Sequence, residues 1–145
     1  MRVKKVIASY VRVAAEDLRG ARTLFRDVNR NAIYLCSQAA EKIIRAVLTS
    51  ENKHGGTGHN LAIMVNMIPD ENPVKPLLRA MDSLGDYATA YRYPTTGGRL
   101  KEAPAPEEFE RLAECVDAAL KEVAKRFEVD LADQGKSAGN ADPIR

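Results

Sequence analysis

Apolar residues in this chain recur at steps of three and four almost from end to end, a period that helices satisfy and strands do not. Val11, Ala14, Leu18, Ala21, Phe25 and Val28 step by 3, 4, 3, 4 and 3, one continuous stripe of an amphipathic helix. Ile33, Cys36, Ala40, Ile43 and Val47 repeat the pattern, and Leu35, Ala39, Ile44, Ala46 and Leu48 add apolar surface on other sides. This second helix is therefore predicted to be the most buried. Asn29 or Asn31 is placed to cap its start, and Gly55-Gly56 ends any continuation. A short helix is predicted from Asn60 to Ile68, stopped before Pro69, with Leu61, Met64, Val65 and Ile68 on one face. The fourth segment opens with Pro73 and Pro76, both tolerable in a first turn. It runs through Val74, Leu77, Met81, Leu84, Ala88 and Tyr91, and Pro94 ends it near Arg92. Thr95 to Pro106 reads as a loop. The last long helix starts after Pro106 with Glu107, Glu108 and Glu110 where the helix dipole favours acid, and its stripe is Phe109, Leu112, Val116, Ala119, Val123 and Phe127.

No alternating strand pattern competes with these helices, and no internal repeat is evident. The expected fold is all-α, an up-and-down bundle of four long helices plus one short helix. A chain of 145 residues suits one domain, placed here over residues 1–130. Residues 131–145 turn to Gly, Ser, Asn, Asp and Gln and are expected to form a flexible C-terminal tail. No apolar run approaches the ~18–20 residues of a membrane span, and the start lacks a signal-peptide core. Two cysteines cannot make a disulfide scaffold, so a cytoplasmic location is expected.

Charge divides the chain more than its net +2 suggests. Residues 1–60 carry 11 basic and 5 acidic side chains, whereas residues 101–145 carry 7 and 11. Such halves pair within the fold, pair between subunits, or present a mild anion-binding face. Arg19, Arg22, Arg26 and Arg30 form a basic stripe on the first helix and are the alternative anion-binding group. With a pI near 8.6, no Trp and only 6% aromatic residues, obligate duplex binding is disfavoured and base-stacking surface is scarce.

Standard chemical motifs mostly fail. Gly55-Gly56-Thr57-Gly58-His59 precedes a helix but lacks the Lys-Ser/Thr of a P-loop, and no strand leads into it. Thr57 or Asn60 as a simple helix cap is the plainer role. Glu51-Asn-Lys-His54 has the Glu-x-x-His spacing of di-iron bundles, which need that motif twice. With two histidines in the chain, neither that site nor a four-ligand zinc site is expected, and no cofactor is implied. Cys36 and Cys115 fall on apolar stripes, where a thiol packs as a small hydrophobe. No catalytic nucleophile can be named.

Three features occur in order: Tyr34-Leu-Cys-Ser-Gln-Ala-Ala-Glu-Lys-Ile-Ile-Arg-Ala-Val-Leu48, then Gly58-His-Asn-Leu61, then Tyr91-Arg-Tyr-Pro94. Together they resemble the HEPN domain family of small prokaryotic helical proteins, from about Ala14 to Phe127. The resemblance implies a bundle of four to five helices, usually a homodimer, often associated with a separate minimal nucleotidyltransferase and proposed to bind nucleotides. Many HEPN proteins are metal-independent ribonucleases marked by Arg, four to six residues, then His, near the start of the last long helix. Here the positions five to seven after Arg92 hold Gly97, Gly98 and Arg99, those after Arg99 hold Pro104, Ala105 and Pro106, and no arginine in the chain has a histidine at that distance. Without that imidazole the family's acid–base chemistry lacks its key side chain, so no ribonuclease activity by that route is expected.

The resemblance and the residue chemistry together make Arg92, Tyr93, Lys42 and His59 the candidate nucleotide contacts, with ATP as an example ligand. Arg92 offers a two-pronged phosphate contact, or instead bonds free carbonyls at a helix end or pairs with Glu41. Tyr93 stacks on a base or closes the loop. Lys42 points ~100° away from Glu41 on the same helix and is a phosphate candidate, and His59 touches a ligand or packs locally. Three function classes stay open: a non-catalytic nucleotide-binding partner of a nucleotidyltransferase, a purely structural homodimeric interaction protein, and an RNA-holding relative of the ribonuclease toxins.

Overall fold

The first apolar stripe folds into one helix, α1 (Arg2–Arg26), which buries Val11, Ala14, Leu18 and Ala21. In the computed structural model, which describes residues 2–88 and 92–133, it is followed by α2 (Ala32–Ser50), α3 (Leu61–Asn66), α4 (Lys75–Ala80), a 3-10 turn (Asp82–Tyr87) and α5 (Pro106–Arg126). No strand occurs among the described residues, so the all-α expectation holds.

Val28 departs from the predicted stripe. It is 91% exposed with φ +56°, because α1 closes two residues earlier. The Val28 N–H donates to the Phe25 carbonyl at 3.0 Å and the Asn29 N–H to the Leu24 carbonyl at 2.8 Å. These are the crossed bonds of a Schellman ending, whose first residue past the helix must turn left-handed. Asn29 Oδ1 accepts the Asn31 N–H at 2.9 Å, and Asn31 itself makes no side-chain cap on α2.

α2 is the centre of the bundle, as its near-continuous apolar composition predicts. Ile33, Cys36, Ala39, Ala40, Ile43, Ile44, Ala46, Val47 and Leu48 are all buried, and the helix touches α1, α3, α5 and the 3-10 turn. A Cβ on Gly20 of α1 would stand 3.1 Å from Leu35 Cδ1, so glycine sets the close approach of α1 and α2. The stripe of α5 is buried from Phe109 to Val123, with Phe127 half-buried just past its end and Glu107 and Glu108 in its first turn.

The fourth long helix is not continuous. α4 ends at Ala80, and the chain tightens into the 3-10 turn while keeping Val74, Leu78, Met81 and Leu84 buried. Leu77 is only half-buried. Asp82, Ser83 and Gly85 are weak helix formers, and Gly85 is held against the start of α3. A Cβ there would stand 3.2 Å from the Leu61 nitrogen and 3.3 Å from the His59 carbonyl oxygen. The described residues thus contain three long helices, α1, α2 and α5. Tyr91 and the helix end expected at residues 91–92 fall wholly or partly outside the described residues. So does most of the expected tail: residues 131–133 form a 3-10 turn, with Leu131 packed against the core, and the rest lies beyond.

Candidate functional site

One face of α2 breaks its apolar character at helical spacing: Tyr34, Gln38, Glu41 and Arg45 step by 4, 3 and 4. Glu41 is buried, at 8% exposure, and its carboxylate is fully engaged. Oε2 accepts from Arg45 Nε at 3.0 Å, and Oε1 lies 2.9 Å from His59 Nδ1. Arg45 Nη2 also donates to the Gly58 carbonyl at 3.0 Å. A buried carboxylate requires such partners, and here they latch the glycine-rich loop onto α2. With Nδ1 turned to Glu41, His59 presents Nε2 outward from a side chain 45% exposed. Asn60 then caps α3, its Oδ1 accepting the Ile63 N–H at 3.1 Å. The depression beside His59 also takes in Asp82, Ser83 and Asp86, a lining hostile to polyphosphate.

At the other end of this face the Arg92 guanidinium carbon stands 4.5 Å above the centre of the Tyr34 ring and 5.7 Å from that of Tyr93, both within cation–π range. Tyr93 is 65% exposed. Among the described residues no carboxylate pairs with Arg92, and Glu41, the partner considered for it, is taken by Arg45 and His59. Tyr34 and Glu41 are seven residues apart, so about 10 Å of helix separates the two ends.

A family model of the HEPN domain matches residues 7–126, most of the chain and all three sequence blocks of this face. The chain belongs to the HEPN family. No curated protein and no solved structure matches it.

This HEPN bundle brings some of the predicted contacts together and leaves others apart. Arg92 lies over Tyr34 and near Tyr93, and His59 joins the same α2 face through Glu41. Lys42 does not: its Nζ donates to Asp17 Oδ2 of α1 at 2.6 Å, and it lines a separate depression with Arg2, Lys5 and Tyr10. The arginine stripe is turned partly inward. Arg22 stands 4.0 Å from both Glu110 and Glu114 of α5, Arg26 donates to Thr23 Oγ1 at 3.4 Å, and Arg30 donates to the Lys101 carbonyl at 3.1 Å. Through Arg22, part of the basic front half and part of the acidic last third meet within the fold. Arg19 also has a partner.

Sequence reasoning did not pick out Tyr34, Gln38 and Arg45 as members of the site. Their signal was the 4, 3, 4 step of polar residues through an otherwise apolar helix. Cys36 is buried, and burial pushes its thiol up to about 12, as core packing requires. His54 Nδ1 accepts the Gly56 N–H at 2.9 Å and Glu51 Oε2 accepts from Asn72 Nδ2 at 2.7 Å, so this spaced pair holds loops. Among the described residues no three His, Cys, Asp or Glu side chains gather as metal ligands would. No helix there is long and apolar enough to cross a membrane.

Proposed function

We propose that this HEPN protein is a non-catalytic binding module that takes a nucleotide on the Tyr34 end of the α2 face and works beside a nucleotidyltransferase that supplies the chemistry. The observation that carries this reading is Arg92, its guanidinium 4.5 Å over the Tyr34 ring with no carboxylate partner among the described residues. A guanidinium held over an aromatic ring still carries its planar fork of N–H groups, the geometry that grips phosphate with two bonds. Tyr93 beside it supplies an exposed ring for the base. Phosphates belong at Arg92 rather than at the His59 end, where Asp86 lines the depression together with Asp82, itself paired with Arg79 at 3.1 Å. His59 has two parts to play, holding the loop through Glu41 and offering Nε2 to the ligand's edge. Lys42, paired with Asp17, has none.

Calorimetric titration with ATP at moderate salt tests the reading. Saturable binding is expected, weakened about 10- to 100-fold in Arg92→Ala, the size of one charged hydrogen-bonding contact. A flat titration of the wild type, or an Arg92→Ala variant that binds as well, contradicts it.

A second reading has its own observation. Val3, Val6, Tyr10 and Val13 step by 3, 4 and 3 along the outside of α1, with Val3 51%, Val6 39% and Val13 41% exposed. An exposed apolar stripe of this kind suits association, and we propose it as the contact if the protein serves as a homodimeric interaction module. Light scattering checks this: Val6→Glu with Val13→Glu converts a dimer to a monomer, and a wild-type monomer removes the reading.

A further inference from the structure

The N-terminal half of α1 carries charge of one sign. Among the first fifteen residues Arg2, Lys4, Lys5 and Arg12 are basic and none is acidic. Arg2, Lys4 and Lys5 are exposed, and among the described residues no carboxylate forms an ion pair with them. Beside these cations lies a depression of about 420 Å³, lined by Val6, Tyr10 and Val13 together with Arg2, Lys5 and Lys42. Val6 and Val13 are exposed, and Tyr10 is half-buried against the core. Lys42 is paired with Asp17, which leaves Arg2 and Lys5 as the cations of that lining outside any ion pair.

Apolar side chains next to unpaired cations call for a partner that supplies both missing halves, aliphatic groups for the valines and carboxylates for the cations. An amphipathic helix does so, because residues at steps of three and four share one face while acidic neighbours flank it. A second copy of this chain is a poorer match in charge. The acidic side chains of α1 are Glu16 and Asp17, and Asp17 is taken by Lys42, so α1 against α1 leaves Glu16 to answer Arg2, Lys4 and Lys5. Single-stranded nucleic acid matches one half only, since the valines give a base nothing to stack on. A lipid surface is flat, whereas a depression is filled by individual side chains.

We propose that this face of α1 docks an acidic amphipathic helix of another protein, its aliphatic side chains on Val6, Tyr10 and Val13 and its carboxylates on Arg2 and Lys5. The face uses neither Arg92 nor Tyr34, so it stands separately from nucleotide binding. It gives the exposed stripe a different occupant from the homodimer reading, and the experiment separates the two.

The test is fluorescence anisotropy with a dye-labelled helical peptide of Leu, Ala and Glu, with Leu at every third or fourth position, set against the same peptide with Lys for each Glu. Wild-type protein is expected to bind the acidic peptide saturably and the basic one at least tenfold more weakly. Arg2→Glu with Lys5→Glu reverses two exposed charges, and Val6→Ser with Val13→Ser removes the exposed apolar groups while keeping the charge. Each pair, with its fold checked by circular dichroism, is expected to lose at least tenfold in binding of the acidic peptide. Wild-type protein is also expected not to sediment with phosphatidylserine vesicles, and sedimentation that Val6→Ser with Val13→Ser abolishes would give the face to a lipid surface instead. The proposal is equally overturned by absent binding of the acidic peptide, by equal binding of the two peptides, or by undiminished binding to either folded variant. A wild-type dimer in light scattering that Val6→Glu with Val13→Glu splits overturns it too, because the face then belongs to a second copy.

Discussion

Removing the Glu41 carboxylate should be the most damaging single change on the α2 polar face, and its size can be worked from the contacts. Glu41→Ala deletes the bond from Arg45 Nε at 3.0 Å, between side chains only 15% and 11% exposed. It leaves the guanidinium with the Gly58 carbonyl alone among the partners described above. A hydrogen bond to a charged group contributes about 1.5–3 kcal/mol. The His59 bond adds less, about 0.5–1 kcal/mol, because an imidazole 45% exposed can turn to water instead. The expected loss is therefore about 2–4 kcal/mol, or roughly 10 °C in Tm for a domain of this size. His59→Ala should lose only the smaller part. Urea unfolding of both variants and of the double variant separates the two contributions. A Glu41→Ala variant within about 0.5 kcal/mol of the wild type, or a His59→Ala variant just as damaging, would refute the latch.

Four further outcomes follow from the same contacts. Val28→Gly relieves a left-handed cost of about 1–2 kcal/mol against a loss of about 0.4–1 kcal/mol through the unfolded chain. The free protein should gain slightly in Tm by calorimetric scanning, and a clear drop would contradict the strain. Gly85→Ala forces a Cβ to within 3.2 Å of the Leu61 nitrogen and should lower Tm, whereas an unchanged melt would mean the α3 start yields freely. Burial raises the Cys36 thiol from 9.0 to about 12, so its contribution is fully present below pH 9 and is lost as pH rises from 9 towards 12. The wild type should then lose more stability between pH 7 and 10 than Cys36→Ala does, and a thiol reagent at pH 8 should reach Cys36 only on unfolding. Finally, homogeneous protein should not cleave single-stranded RNA in EDTA, and robust cleavage would show an acid–base centre without the Arg-to-His spacing.

Periodicity carried most of the fold because burial of a 3–4 stripe is the dominant local instruction in this chain. It failed where a local helix ending or a tertiary contact overrode it. Val28 continues the α1 stripe in sequence, yet the Schellman closure turns it outward. Met81 and Leu84 keep their helical spacing, yet Gly85 packs so closely on the His59–Leu61 backbone that the helix gives way to a tighter turn. The site was legible in parts. Arg92, Tyr93 and His59 stood out as charged, aromatic and titratable groups beside loops. Spacing along one helix could not tell which neighbour Glu41 would choose, since Arg45 is four residues away and His59 eighteen. Nor could it show that Lys42 would be held by Asp17 across the α1–α2 contact, because that pairing depends on helix register.

The central claim is that a nucleotide docks where Arg92 crosses Tyr34. Nitrogen–proton correlation spectra of labelled protein, recorded while ATP is added, test it most directly. The account predicts saturating shifts at Tyr34, Gln38, Arg92 and Tyr93, weaker ones at His59, and none along the C-terminal half of α5. Shifts centred on Lys42 and the start of α1, shifts along Arg19 to Arg30, or an unchanged spectrum would each contradict it.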